Sequence, residues 1–307
     1  MNKISRIIIG ALVAVIIGMS LKIFQLKRQI GELDNYVEKE RIIELAVSYN
    51  VSTAFLRKLF PNDVVYLDNG KVTVEKLNPS LKLNEYDYSL LDRSNGRYFH
   101  PDAVQGVDVS KFSGDIDWNA VREAGFSFAM VRVGYRGYSE GGLNKDAYFD
   151  QNARGVNQAG MHLGVYFFSQ AISVEEAIEE ASYVITQIKD YDVTYPICFD
   201  MEEMSGVNAR ANKLTKEEVT EITLAFCNTV KAAGYTPVIY ANSHWIFSKL
   251  DLEQVKDIDK WYAQYASEPY YPYEFSMWQY SASGKVPGIS NDADLNLSFI
   301  DYSQVEH

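Results

Sequence analysis

Cysteine is nearly absent from this chain. Cys198 and Cys227 are too few for a disulfide framework, and both read as buried thiols. The four histidines, His100, His162, His244 and His307, are scattered without metal-ligand spacing, and neither Cys-x-x-Cys nor His-Glu-x-x-His occurs. No Gly-x-x-x-x-Gly-Lys phosphate loop is present either. A chemistry without metal or other cofactor is therefore expected. Positive charge is scarce as well: 29 Lys and Arg face 41 Asp and Glu, a formal net charge of -12. Such a balance does not build a phosphate-binding surface, which excludes nucleic acid as an expected partner.

The N-terminal apolar run covers only residues 7–21, where about 20 residues are typical of a membrane span. Arg6 and Lys22 can snorkel, and Ile23, Phe24 and Leu26 prolong the apolar surface, so an uncleaved anchor over residues 7–26 is expected. A cleaved signal peptide, which would release the chain, is the rival reading; the Gly-Met-Ser-Leu-Lys-Ile exit lacks a clear small-x-small site. Beyond it, Leu26, Ile30, Leu33 and Val37 recur at three- and four-residue steps, which suggests a juxtamembrane helix and weak self-association through residues 23–37. An amphipathic stretch over 42–60 stops at Pro61, and Asn69-Gly70 between two β-rich runs signals a hairpin. Residues 77–104 show no clear period and read as an irregular connector packed on or leading to the catalytic domain. The expected organisation is a cytoplasmic N-terminus at 1–6, an anchor at 7–26, a small α+β stalk of helix, hairpin and connector at 27–104, and a catalytic domain at 105–307.

The chain is rich in aromatic residues: 22 Tyr, 15 Phe and 4 Trp are ample to line a groove for sugar rings. From Gly106 onward, short β-rich runs alternate with helical patterns. Candidate strands lie at 106–109, 126–133, 163–168, 195–200, 237–240, 261–265, 275–280 and 293–297. Helical segments lie near 118–124, 146–159, 173–189 and 215–233, with Asp117 and Ser173 placed as N-caps and a Ser173/Glu176 capping box. Gly125, Gly160 and Gly234 stand where left-handed C-caps belong. Eight strands with intervening helices predict an α/β fold, an irregular eight-stranded (β/α) TIM-like barrel.

The most chemical stretch is the strand at 195–200, which ends in Asp200-Met201-Glu202-Glu203. Side chains alternate along a strand, so Asp200 and Glu202 face one spot about 6–7 Å apart, and Glu203 faces away. Paired carboxylates, one protonated and one ionised, are the means of breaking glycosidic bonds; a strand running out into a solvated acidic loop is the plain alternative. In a barrel, reactive groups collect at strand ends, which would bring Asp108 and Asp294 to the same mouth. Tyr166, Trp261, Gln264, Trp278 and Gln279 would supply stacking faces and hydrogen bonds to a sugar chain.

These residues resemble glycoside hydrolase family 25, the lysozymes that cleave peptidoglycan between N-acetylmuramic acid and N-acetylglucosamine. The likeness runs over residues 105–302. It rests on Gly106-Val107-Asp108-Val109-Ser110, Val131-Arg132-Val133-Gly134, Leu163-Gly164-Val165-Tyr166-Phe167-Phe168-Ser169, Phe199-Asp200-Met201-Glu202, Trp261-Tyr262-Ala263-Gln264-Tyr265, Trp278-Gln279-Tyr280 and Asp294-Leu295-Asn296. No acidic position departs from the pattern. The resemblance implies Glu202 as general acid, with Asp200 as base, nucleophile or orienter of the substrate's N-acetyl group. Asp108, Asp294, Tyr166, Trp261, Gln264 and Trp278 would bind substrate. Peptidoglycan lies outside the cytoplasmic membrane, so a single-pass cell-membrane protein with its barrel outside is expected. A non-catalytic glycan-binding module and a subunit of a membrane-spanning assembly are the alternatives. A chain beginning at Gly106 is expected to keep muramidase activity if the enzyme reading is right.

Overall fold

The computed structural model describes residues 35–49, 52–68 and 71–305. The anchor expected at 7–26, and all but the end of the 23–37 stretch, lie outside the described residues. Among the described residues no helix is long and apolar enough to cross a membrane. The chain divides into two compact units, Met1–Pro61 and Asn62–His307. The first contributes helices α1 (Asn35–Ser48) and α2 (Thr53–Leu59). Ser52 caps α2, its hydroxyl accepting from the Phe55 amide at 3.3 Å.

The second unit opens with the hairpin β1 (Asp63–Asp68) and β2 (Lys71–Lys76), paired from Asp63 and Lys76 to Asp68 and Lys71, as Asn69-Gly70 predicts. A smaller hairpin follows, β3 (Asp92–Ser94) and β4 (Arg97–Phe99). Its turn residues Asn95 and Gly96 both have positive φ, 53° and 75°, the backbone that an Asn-Gly turn supplies cheaply. After it come β5 (Val104–Val109), α3 (Trp118–Glu123), β6 (Phe128–Arg136), β7 (Leu143–Lys145), α4 (Phe149–Gln158), β8 (His162–Phe168), α5 (Val174–Ile188), β9 (Val193–Asp200), α6 (Lys216–Ala232), β10 (Pro237–Asn242), α7 (Ser243–Ser248), β11 (Asp259–Ala263), β12 (Met277–Gly284) and β13 (Ala293–Ser298). Asp117 caps α3 as expected, accepting from the Asn119 and Ala120 amides. Ser173 caps α5, but Glu176 closes back on the Ile172 amide, one residue before the box position. The full capping box belongs to Thr215 and Glu218 at α6.

Eight strands close a barrel in the order β5, β6, β8, β9, β10, β11, β12, β13, with β7 paired onto the extended end of β6. Neighbours run parallel from β5 round to β12, while β13 is antiparallel to both β12 and β5. The barrel is irregular for that reason, and Asp294 reaches the mouth from the start of β13 rather than from a strand end.

Period-two alternation sorts the strand residues into two apolar sets. One set, with Phe128, Met130, Cys198, Val238, Trp261 and Met277, fills the barrel, and Tyr302 joins it from a short C-terminal 3-10 turn. The other, with Val107, Val131, Val165, Ile197 and Phe199, packs against the helices. Gly106 is required by this filling: a Cβ there would stand 2.1 Å from the Phe128 ring. Cys198 and Cys227 are both free and buried. Native protein is accordingly expected to give no reaction with a thiol reagent and the denatured protein two equivalents, with a melting temperature indifferent to reductant; a shift on adding reductant would count against free thiols.

Residues 62–104, expected as part of a stalk, belong to the barrel's own unit. Tyr86 stacks on Phe299 at 4.0 Å and donates to the Phe275 carbonyl, and Tyr98 stacks on Tyr280 at 4.9 Å. Arg97 donates to the Ala124 carbonyl at 2.7 Å. Tyr66 stacks on Phe247 of α7 at 4.6 Å, which seats the first hairpin beside the mouth.

Candidate active site

The register of β13 on β5 sets Asp294 opposite Asp108 and Asn296 opposite Gly106, so Asp108, Asp294 and Asn296 share the inner face. Asp108 is buried, and its Oδ2 accepts from Asn296 Nδ2 and Gln279 Nε2, each at 2.8 Å. Both amides are held in that orientation from behind. Trp261 Nε1 donates to Asn296 Oδ1 at 2.8 Å, and the Tyr240 and Tyr265 hydroxyls donate to Gln279 Oε1 at 3.0 and 2.9 Å. Burial pushes the Asp108 carboxyl up, opposed by these donors and by Asp294. Two amide N–H donors on one oxygen favour negative charge at Asp108 over Asp294. Its partner Asp294 is pushed up to about 8, by burial first and then by the Asp108 charge, and keeps the shared proton.

Asp200 closes β9, in register with Phe168 of β8 and Tyr240 of β10. Met201 is buried among the residues facing the helices, so Asp200 and Glu202 fall on the opposite, inner side, as alternation requires. Burial raises Asp200 well above the carboxylate range, helped by the charges of Glu202 and Asp108. Its Oδ1 is buried without a hydrogen-bond donor. Glu202 is raised to about 7, by desolvation first and then by Asp108. Arg132 projects from β6 but spends its charge on buried Asp146, Nε to Oδ2 at 2.8 Å, and relieves Asp200 only through space. Glu203 is exposed, 3.5 Å from His244 Nε2. Beside Glu202 opens a cavity of about 470 Å³ walled by Tyr240, Asn242, His244, Gln264, Tyr265 and, from the first hairpin, Leu67.

Of the residues singled out in the sequence, Asp108, Asp200, Glu202, Asp294 and Tyr166 come together. Tyr166 is half-buried, and its hydroxyl is pushed well up by burial and then by Asp108. Gln264 lines the cavity, its Oε1 accepting from the Tyr270 amide at 2.7 Å. The two tryptophans are corrected. Trp261 is 2% exposed inside the barrel, edge-on to Tyr240, and Trp278 is 0% exposed beneath Tyr98 and Tyr280. Neither offers a face to a sugar; Trp261 instead positions Asn296. Tyr240 and Tyr265 were missed as site residues, although Tyr240 ends a strand in register with Asp200 and Tyr265 follows β11 by two residues.

A closed barrel with four carboxylates and a wall of tyrosines at one mouth has the make-up of a glycoside hydrolase. The sequence model of glycosyl hydrolases family 25 matches residues 107–289, and the chain belongs to that family. It is 26% identical over 194 residues to an autolytic lysozyme of Clostridium acetobutylicum, covering 63% of this chain and 55% of that one. It is 28% identical over 202 residues to lysozyme M1 of Streptomyces globisporus, covering 63% of this chain and 67% of that one. Among solved structures, the bacterial lysozyme of Streptomyces coelicolor aligns with a TM-score of 0.51 at 28% identity, over 63% of this chain and 90% of that one. The chain thus spans little more than half of the Clostridium relative. The family region starts at residue 107, after both hairpins.

Proposed function

We propose that this chain hydrolyses peptidoglycan at the β-1,4 bond between N-acetylmuramic acid and N-acetylglucosamine. The observation that carries the reading is the graded set of carboxyls at the mouth. Glu202 borders the open cavity with its proton retained to about pH 7, while Asp108 holds the negative charge beneath it. Glu202 is the general acid: its carboxyl proton passes to the glycosidic oxygen as the C1–O bond breaks. Asp200 orients the acetamido group at the cleaved bond. Its buried Oδ1 lacks a donor, and an N–H from the substrate supplies one, favouring the ionised form. Water then adds at C1 and restores the proton to Glu202.

The lysozyme relatives support the substrate class, and the unbroken set of acidic residues supports catalysis over glycan binding alone. The apolar run at 7–26 supports a single-pass anchor that holds the barrel on the outer face of the cell membrane, beside the wall. Mass analysis of fragments released from purified walls tests the reading. N-acetylmuramic acid at the reducing end is expected, and N-acetylglucosamine there would overturn it. The rate is expected to fall as pH rises through about 7, because Glu202 then loses the proton it must donate. A rate still climbing at pH 9 would remove Glu202 from that role.

A further inference from the structure

A second cavity, of about 440 Å³, opens on the other side of Tyr265. Tyr265 walls both cavities, is 60% exposed, and has its hydroxyl fixed on Gln279, so it stands as a braced partition. The rest of the second cavity is lined by Tyr98, Tyr280, Ser267, Ser281 and Ser283, with Ala266 and Ala282 between them. Its shape has two local causes. The pairing of β12 with β13 slips between Gln279 and Ser281 and again between Ser281 and Gly284, and this irregularity leaves Ser283 exposed at the rim. Tyr98 stacks on Tyr280 at 4.9 Å and lies 5.3 Å from the Arg93 guanidinium. Arg93 in turn donates to the Ser267 carbonyl, tying the second hairpin to the loop after β11.

Hydroxyl groups around a rigid ring, next to a site that cuts a sugar polymer, are suited to a saccharide. We propose that this cavity is a distal saccharide subsite, where a glycan strand lying across Glu202 continues over Tyr265. The hairpin at 92–99, which precedes the family region, then helps set the length of strand the enzyme prefers. The inference rests on the reading of the first cavity as the glycan-cleaving site.

The test uses the full chain in detergent carrying Glu202→Gln, with soluble strands of alternating N-acetylglucosamine and N-acetylmuramic acid, a tetrasaccharide and an octasaccharide, titrated by calorimetry. The octasaccharide is expected to bind at least tenfold tighter. Adding Ser283→Trp, which fills the cavity from its exposed rim without disturbing the Tyr98 stack, is expected to abolish that gain. Tyr98→Phe, which keeps the ring stacked on Tyr280 and removes only the hydroxyl from the cavity wall, is expected to reduce it. An equal gain with and without Ser283→Trp, or no gain in the parent, overturns the subsite and leaves the hydrolase reading standing. Failure of both oligosaccharides to bind overturns the hydrolase reading, and the subsite with it.

Discussion

Glu202→Gln is expected to lower the rate of wall hydrolysis by about 10²–10⁴-fold, the usual contribution of a general acid, while Glu203→Gln keeps most of it. The two residues are adjacent in sequence and opposite in setting. Glu202 is raised to about 7 by desolvation and by the Asp108 charge, whereas Glu203 lies in solvent beside His244. The same substitution has a second, independent readout. A carboxyl whose folded pKa is raised binds its proton in the folded chain after the unfolded chain has lost it. Stability therefore falls as pH climbs from the ordinary value of 4.5 to about 7 and stays reduced above that. Glutamine has no proton to lose. Glu202→Gln should melt higher than the parent at pH 8, by on the order of 1–3 kcal/mol, and equal it near pH 4. Lost activity without stabilisation at pH 8 would mean that Glu202 is not held protonated by its surroundings. Lost activity in Glu203→Gln with Glu202→Gln intact would reverse the assignment.

The acidic positions were legible because strand alternation and barrel topology are strict: once eight strands are placed, carboxylates at their mouth ends must converge. Asp294 needed one further fact, the reversed direction of β13, which a six-residue strand does not advertise. The tryptophans were misread for a physical reason. Position near a strand end suggests access to a groove, but parity decides which layer a ring enters. Trp261 shares the parity of Ala263 and turns into the barrel, where the polar network needs its indole N–H. Trp278 has the opposite parity to Met277 and turns outward. There it is covered by Tyr98, from a connector expected to pack on or lead to the barrel but whose lack of period did not say which side chains would do so. A segment with no repeating pattern carries no signal of the single aromatic side chains by which it docks.

That docking reverses the expectation for a chain beginning at Gly106. Such a chain loses Tyr86, stacked on Phe299 and bonded to the Phe275 carbonyl, and Tyr98, stacked on Tyr280 over Trp278. It also loses Arg97, which holds the Ala124 carbonyl at the end of α3, and the Asn84 and Lys82 backbone bonds to Pro272 and Glu274. Removing a fully buried large aromatic side chain costs about 3–5 kcal/mol, and half-buried Tyr86 and Tyr98 cost less each, against a whole-domain stability of about 5–15 kcal/mol. Losing both, together with buried Leu81 and Leu91 and the cover over Trp278 and Phe299, consumes much of the margin. Residues 106–307 are therefore expected to show no cooperative melt, or one lowered by more than about 10 °C, relative to residues 62–307. Hydrolysis of purified walls should fall in parallel although every carboxylate is retained. Circular dichroism melts of the two chains decide the matter, and near-equal midpoints would show that the hairpins merely rest on a self-sufficient barrel. Tyr86→Ala and Tyr98→Ala in the longer chain separate the contributions: each should lower the midpoint, and the two effects should add, since Phe299 and Tyr280 are distinct seats, but to less than the truncation, since Arg97, Leu81 and Leu91 remain.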